Sequence, residues 1–374
     1  MRTSAFISLA LAWVLLGGLN GCLTSVQQQD ATPRTIMLIL DGLATGAMER
    51  IPLPHLQALQ ETGTYYAAVH LPLPAHPKKS AAYPWSCSLP NPVLMSGTVF
   101  IGQPEIRQHL LQHSFAGQPT AFIVNDGAYR DVAGGFDQYF NLREEFADLF
   151  RDEKVMQKAK EVIRTEDPQF LRIHLQGPGS AGHMSHALEN QEQPWYHDIW
   201  HPQSPYVQQM KQADQLVAAF ISWLKEEGHW ESTTLLILGD HGQAAIGGHP
   251  PYRPASSQTE LLMVGARIKK NTRFSYAEIT DIAPTIAHLH RMSPPRYAIG
   301  RVLTEALLTG PDTLPPDRNM QALNNMLQAA HQRKQSGQPL PAEWQGISDI
   351  SNWHLGLSPP TLAAFIQRQK AQLN

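Results

Sequence analysis

The 374-residue sequence has little that would tie it to a polymer or a bilayer. It lacks any Lys/Arg-rich tract and any interleaving of basic with aromatic residues, and its formal net charge is −3. Nucleic-acid polymers are therefore excluded as general partners. Cysteine is scarce, with Cys22 and Cys87 the only two, so a disulfide framework is excluded. Beyond the N-terminal region no run of ~20 apolar residues occurs, and no internal repeat is visible. What the chain does have is 29 prolines, 26 glycines and 42% hydrophobic residues. This suits a large α/β fold with many turns better than a helix bundle.

The N-terminus reads as a targeting segment. Arg2 precedes an apolar stretch at residues 5–16, and Leu19-Asn-Gly-Cys22 follows it in the manner of a bacterial lipoprotein box. Gly17, Gly18 and Asn20 argue against an uncleaved spanning helix. The expectation is a signal peptide at 1–21, lipidation of Cys22 and a Gln-rich tether over 22–32. The protein would then be exported and lipid-anchored to a bacterial membrane, facing the periplasm or the cell exterior. Cys87 would be the one remaining thiol.

Two apolar runs end abruptly in acids. Residues 35–40 lead into Asp41-Gly42, and residues 234–238 lead into Gly-Asp240-His241-Gly242. Both predict buried parallel strands whose C-terminal ends carry ligands. A third run, 170–176, delivers a glycine-rich loop ending at His183, and His249 follows Gly247-Gly248. Between 84 and 97, Ser88 can cap a short helix with Pro90 in its first turn and Gly97 at its end. A hydroxyl at a helix start lies where backbone N–H groups bind anions, and the Asn91 amide could donate there too. Two carboxylates, an imidazole and a hydroxyl suit Zn²⁺ or Mn²⁺, and a metal beside Ser88 would favour its alkoxide. Arg253 is a candidate contact for the transferred group. The clearest helix spans 204–224, capped by Ser204 and Pro205 and ended by Gly228. Alternation of strands with helices predicts a three-layer αβα sandwich around a largely parallel central sheet.

Asp41-Gly42, Ser88-Leu-Pro-Asn91, Gly182-His183, Asp240-His241-Gly242, Gly248-His249 and Asp281-Ile-Ala-Pro-Thr occur in the order used by the alkaline phosphatase superfamily. Over residues 33–309 the chain most resembles the type I phosphodiesterase and nucleotide pyrophosphatase branch. Residues 310–374 lie outside the resemblance and are expected to pack on the core. By this likeness Asp41, Ser88, Asp240 and His241 would hold one divalent metal, zinc for preference, and His183 and His249 a second. The superfamily usually places an Asp four residues before the first His, where this chain has Gly179. The second metal should bind more weakly, unless Gln176, His186 or Asp198 substitutes, and Gly179→Asp is expected to strengthen it provided the loop can accept a Cβ there. The implied activity is metal-dependent hydrolysis of small phosphate mono- or diesters through a phospho-serine. Alternatives are transfer to an alcohol, a sulfatase-like reaction, or a degenerate binding protein. Cys87-Ser-Leu-Pro-Asn lacks the Cys-x-Pro/Ala-x-Arg pattern of sulfatases.

Overall fold

The computed structural model describes residues 33–71, 73, 110–126, 129–130, 133–142, 150–250, 252–295, 298, 300–316 and 319–339. Cys22, Cys87, Ser88 and Asn91 lie outside the described residues. Among those described, nine strands form one sheet: β1 (Arg34–Leu40), β2 (Thr64–His70), β3 (Thr120–Val124), β4 (Gln138–Asn141), β5 (Phe170–Leu175), β6 (Thr233–Leu238), β7 (Gln258–Gly265), β8 (Thr272–Phe274) and β9 (Ala277–Glu278). Their order is β4-β3-β5-β1-β6-β7-β2-β8, with β9 also on β2. Only β7 runs against its neighbours, pairing antiparallel with both β6 and β2.

β1 is buried along its whole length, as a central strand covered on both faces must be. Ile36, Leu38 and Leu40 point to one side, where they meet α2 (Pro54–Thr62), α3 (Asp152–Glu166) and α5 (Pro205–Glu226). Met37 and Ile39 point to the other, toward α6 (Ile282–Leu289). This strict alternation gives the three layers. Two further helices lie between α1 (Ala47–Arg50) and α6 or beyond: α4 (Gly177–Met184), and α7 (Asn319–Gln335).

Helix α5 follows its sequence closely. Ser204 Oγ accepts from Tyr206 N at 3.2 Å, and Tyr206, Met210, Ala213, Val217, Phe220, Ile221 and Leu224 are buried. Gly228 ends the segment at φ 75°. The helix also shapes the site, because Tyr206 Oη accepts from Ala44 N and donates to Gly42 O, fixing the turn after β1. In α7, Asn324 Oδ1 accepts from Leu73 N at 2.8 Å and its amide donates to Leu71 O at 2.7 Å. No helix among the described residues is long and apolar enough to cross a membrane.

The glycine-rich loop expected before His183 is instead helix α4. Asp152 begins α3 and turns its buried carboxylate onto the start of α4, accepting from Gln176 N at 3.0 Å and Gly177 N at 3.1 Å. These bonds satisfy amides that a helix start leaves open, in a segment whose glycines favour helix poorly. Burial pushes the Asp152 carboxyl up to about 8, against the pull of those backbone donors. Below about pH 4 folded and unfolded chains both hold this proton. Between pH 4 and 8 the unfolded chain releases it first, so this group lowers stability as pH rises through that window. Asp152→Asn keeps an acceptor and removes the titration. Its urea midpoint relative to the parent should therefore climb from pH 4 to pH 8, and a flat difference would mean that Asp152 ionises normally in the fold.

Candidate metal centre

The register of β1 on β6 places Ile39 opposite Leu238. Two residues further along each strand lie Asp41 and Asp240, so the two apolar runs deliver their acids side by side at one sheet edge. Asp41, Asp240 and His241 are all buried, and one ligand atom from each lies within 4.8 Å of the others. Asp240 Oδ1 accepts from Gly42 N and His241 N, both at 3.1 Å, which fixes its plane.

His241 Nδ1 lies 2.8 Å from Gly242 O, an acceptor only, so this nitrogen carries the proton. Nε2 is thereby left as an acceptor when the ring is neutral. It is buried, lacks a hydrogen-bond partner among the described residues, and stands 3.6 Å from Asp41 Oδ1 and 3.8 Å from Asp240 Oδ2. Three such groups facing one another call for a cation between them. Donors ~2.1 Å from a shared ion stand ~3.4 Å apart at the tetrahedral angle, close to the spacing seen. The residues therefore fit a divalent metal. Burial raises the pKa of both acids, with His241 opposing the shift at Asp41 and the Asp41 charge adding to it at Asp240. At His241 burial favours the neutral ring, but Asp240 and Asp41 together outweigh it and the net shift is upward. All three shifts favour the protonated forms, so metal binding should compete with protonation here.

Behind the carboxylates lies a support that the sequence reading missed. Arg172 and His174 both lie on β5 and are fully buried. Arg172 Nη2 donates to His174 Nδ1 at 3.2 Å, so His174 Nε2 bears the hydrogen and donates to Asp41 Oδ2 at 3.0 Å. Burial, aided by Arg172, holds the His174 pKa down at about 3, so the ring is neutral. Tyr129 Oη sits 3.3 Å from Asp41 Oδ2 and 3.2 Å from Asp240 Oδ2, with its one proton available to either. Two polar residues spaced by two in an otherwise apolar strand, Phe-Leu-Arg172-Ile-His174-Leu, were the available signal. Tyr129 left none.

His183 and His249 are brought together as expected. Their rings meet at 4.8 Å and 88°, and the His249 ring lies 4.2 Å from that of His241. His183 sits in the last turn of α4, and burial lowers its pKa. Gly179 is helical, so the backbone would accept a side chain, but the space does not. A Cβ there would lie 1.7 Å from Asp41 Oδ1. The condition on which Gly179→Asp would strengthen a second site, room for a Cβ, is therefore not met. Asp198 is exposed and caps Trp200 N at 2.9 Å. Arg253 is exposed and lines an open pocket of about 480 Å³ with Tyr252, Gln328 and His331, the last two on α7.

The Sulfatase family model matches residues 107–291. Murine ectonucleotide pyrophosphatase/phosphodiesterase 5 superposes with a TM-score of 0.51 at 13% identity, covering 70% of this chain and 96% of its own. The phosphonate monoester hydrolase of Silicibacter pomeroyi gives a TM-score of 0.56 at 13% identity, over 76% of this chain and 78% of its own. The chain carries an alkaline phosphatase superfamily fold. Superfamily members are hydrolases or transferases acting on phosphate or sulfate esters, and they use divalent metals. Among curated sequences, GPI ethanolamine phosphate transferase 2 of Aspergillus fumigatus is 25% identical over 112 residues, 26% of this chain. That match spans only 15% of the relative's length.

Proposed function

We propose that the protein is a metal-dependent enzyme that cleaves small phosphate mono- or diesters, with Ser88 as nucleophile. The observation that supports this most directly is His241 Nε2, buried without a hydrogen-bond partner among the described residues and facing Asp41 and Asp240. A divalent ion held by these groups supplies Lewis acidity, lowering the pKa of the attacking hydroxyl and offsetting charge on the phosphate. Arg172, acting through His174, and Tyr129 keep Asp41 in one orientation. Ser88 Oγ attacks phosphorus in line, forming the serine ester as the bond to the leaving alcohol breaks. The Asn91 amide and the N–H groups of the helix start read from the sequence donate to the non-bridging oxygens. The leaving alkoxide gains a proton, and water then displaces the serine. An alcohol could replace that water, giving transfer in place of hydrolysis.

A sulfate ester is the second reading, favoured by the Sulfatase family match. Leu89 and Asn91 stand where the sulfatase pattern requires Pro or Ala and Arg, which tips the reading toward phosphate. Chromogenic phosphate mono- and diesters and a sulfate ester, assayed before and after chelation, separate the two. Phosphate turnover should exceed sulfate turnover at least ~100-fold, vanish on chelation and return with Zn²⁺ or Mn²⁺. Sulfate preference, or activity indifferent to chelation, would overturn the proposal. Lipid anchoring through Cys22 belongs to the same reading. Cys22→Ser should shift the protein from the membrane pellet to the soluble fraction, and continued sedimentation with membranes would argue against an anchor there.

A further inference from the structure

The sheet edge opposite the metal centre carries a basic pocket. β1 starts on that edge at Arg34, and its length carries Asp41 to the other edge, ~23 Å away. Helix α6 ends beside the start of β1, where His290 Nε2 lies 2.9 Å from Thr35 Oγ1. β7 ends there too, because Gly265 pairs with Thr234 at the start of β6. A third segment joins them, with Leu308 N donating to Arg267 O at 3.1 Å. Between these chain ends lies a pocket of about 400 Å³ whose lining includes Arg267, His288, Arg291, Leu307 and Leu308 and contains no acid. Asp312, close by in sequence, is taken by Lys269 Nζ at 2.7 Å.

Both arginines stand where the backbone favours glycine, at φ 68° for Arg267 and 56° for Arg291. Arg291 follows the cap of α6, and its N–H donates to His288 O while Met292 N donates to Ala287 O, each at 2.9 Å, a helix end that glycine usually closes. The chain thus accepts an unfavourable conformation twice to keep a guanidinium at this edge. Arg267 spends one donor on Leu289 O and has others to offer. Arg267, His288 and Arg291 are exposed, and Leu308 beside them is 63% exposed.

We propose that Arg267, Arg291 and Leu308 form a surface that docks on the anionic phospholipid headgroups of the membrane to which the tether leads, a choice of occupant that rests on the Cys22 anchor reading. Residues 22–32 join the fold at Pro33, on this edge, and reach at most ~36 Å when fully extended. The tether therefore brings this edge, ahead of the metal centre, to the bilayer. Guanidinium groups match lipid phosphates by paired hydrogen bonds, and an exposed leucine beside them can enter the headgroup layer. The metal centre is then turned away from that bilayer, toward soluble esters or those of a facing surface.

Sedimentation with vesicles tests the surface on the full chain carrying Cys22→Ser, to which no acyl chain contributes. It should bind vesicles of equal phosphatidylglycerol and phosphatidylcholine at least ~10-fold more tightly than phosphatidylcholine alone, which gives the baseline for any uncleaved leader. In the same background Arg291→Gly removes one charge and relaxes the left-handed backbone, so the anionic preference should fall ~5-fold with Tm not lowered. Arg291→Lys should keep most of the preference, Leu308→Ser should weaken binding without altering its salt dependence, and high salt should erase the preference. Equal binding to both vesicle types, or an undiminished preference in Arg291→Gly, would overturn the proposal. Displacement from anionic vesicles by inorganic phosphate at matched ionic strength would overturn the membrane as occupant in favour of a free anion. The anchor is scored separately: a chain with Cys22 intact, isolated from cell membranes, that binds no more tightly than Cys22→Ser would remove the anchor, and the choice of this membrane with it, while the anionic preference still decides the surface.

Discussion

Ser88→Ala is expected to lower kcat on a chromogenic phosphodiester by at least ~10³-fold, because the step that removing a nucleophile abolishes has no substitute group. The same variant should fold and hold its metal. Its loss is one hydroxyl and at most one helix cap, a change of ~1 kcal/mol, and Asp41, Asp240 and His241 supply three ligands without it. Turnover, Co²⁺ content and melting temperature measured together separate a chemical loss from a structural one. A variant with parental kcat would remove Ser88 from the mechanism. A variant stripped of metal would make Ser88 chiefly a ligand.

The largest structural effect is expected at Gly179. A methyl group there would lie 1.7 Å from Asp41 Oδ1. Asp41 cannot step aside, because His174 and Tyr129 hold it from other directions. Gly179→Ala must therefore either push α4 away from β1 or tear the carboxylate from its partners. Overpacking of this kind costs ~3 kcal/mol, which in a chain of this size lowers Tm by roughly 5 °C. The ion on Asp41 should leave with it, so metal content falls in parallel. A Gly179→Ala protein with parental Tm and metal content would show that the contact between Gly179 and Asp41 relaxes freely.

How far the sequence discloses this site depends on the kind of signal each part leaves. Asp41, Asp240 and His241 could be read because a buried strand that stops at an acid is a rare local pattern, and parallel pairing carries both acids to one edge. The layers were readable for the same reason, since continuous apolar strands alternate with amphipathic helices such as α5. Helix α4 was not readable. Its Gly-Pro-Gly-Ser-Ala-Gly composition argues for a loop, and what makes it a helix is remote: Asp152 at its first turn, and the close approach of Asp41 and Gln243 that only glycine permits. Local propensity lost to tertiary context there. The reversed direction of β7 and the short strands β4, β8 and β9 leave no periodic trace either, with β8 and β9 only three and two residues long. Tyr129 reaches the carboxylates from a segment without pattern, and Arg172 with His174 was hidden inside a strand that looked like scaffold.

The central claim is a serine nucleophile served by a buried metal group, and it is tested most directly by trapping the intermediate. Metal-loaded protein mixed with a phosphodiester, quenched in acid and digested with trypsin yields the peptide of residues 80–107, which contains both Cys87 and Ser88. Fragmentation mass spectrometry should place a phosphoryl-bearing adduct on Ser88, present with metal and absent after chelation. An unmodified Ser88 under turnover, or Cys87 converted to formylglycine and carrying the adduct in its place, would contradict the account.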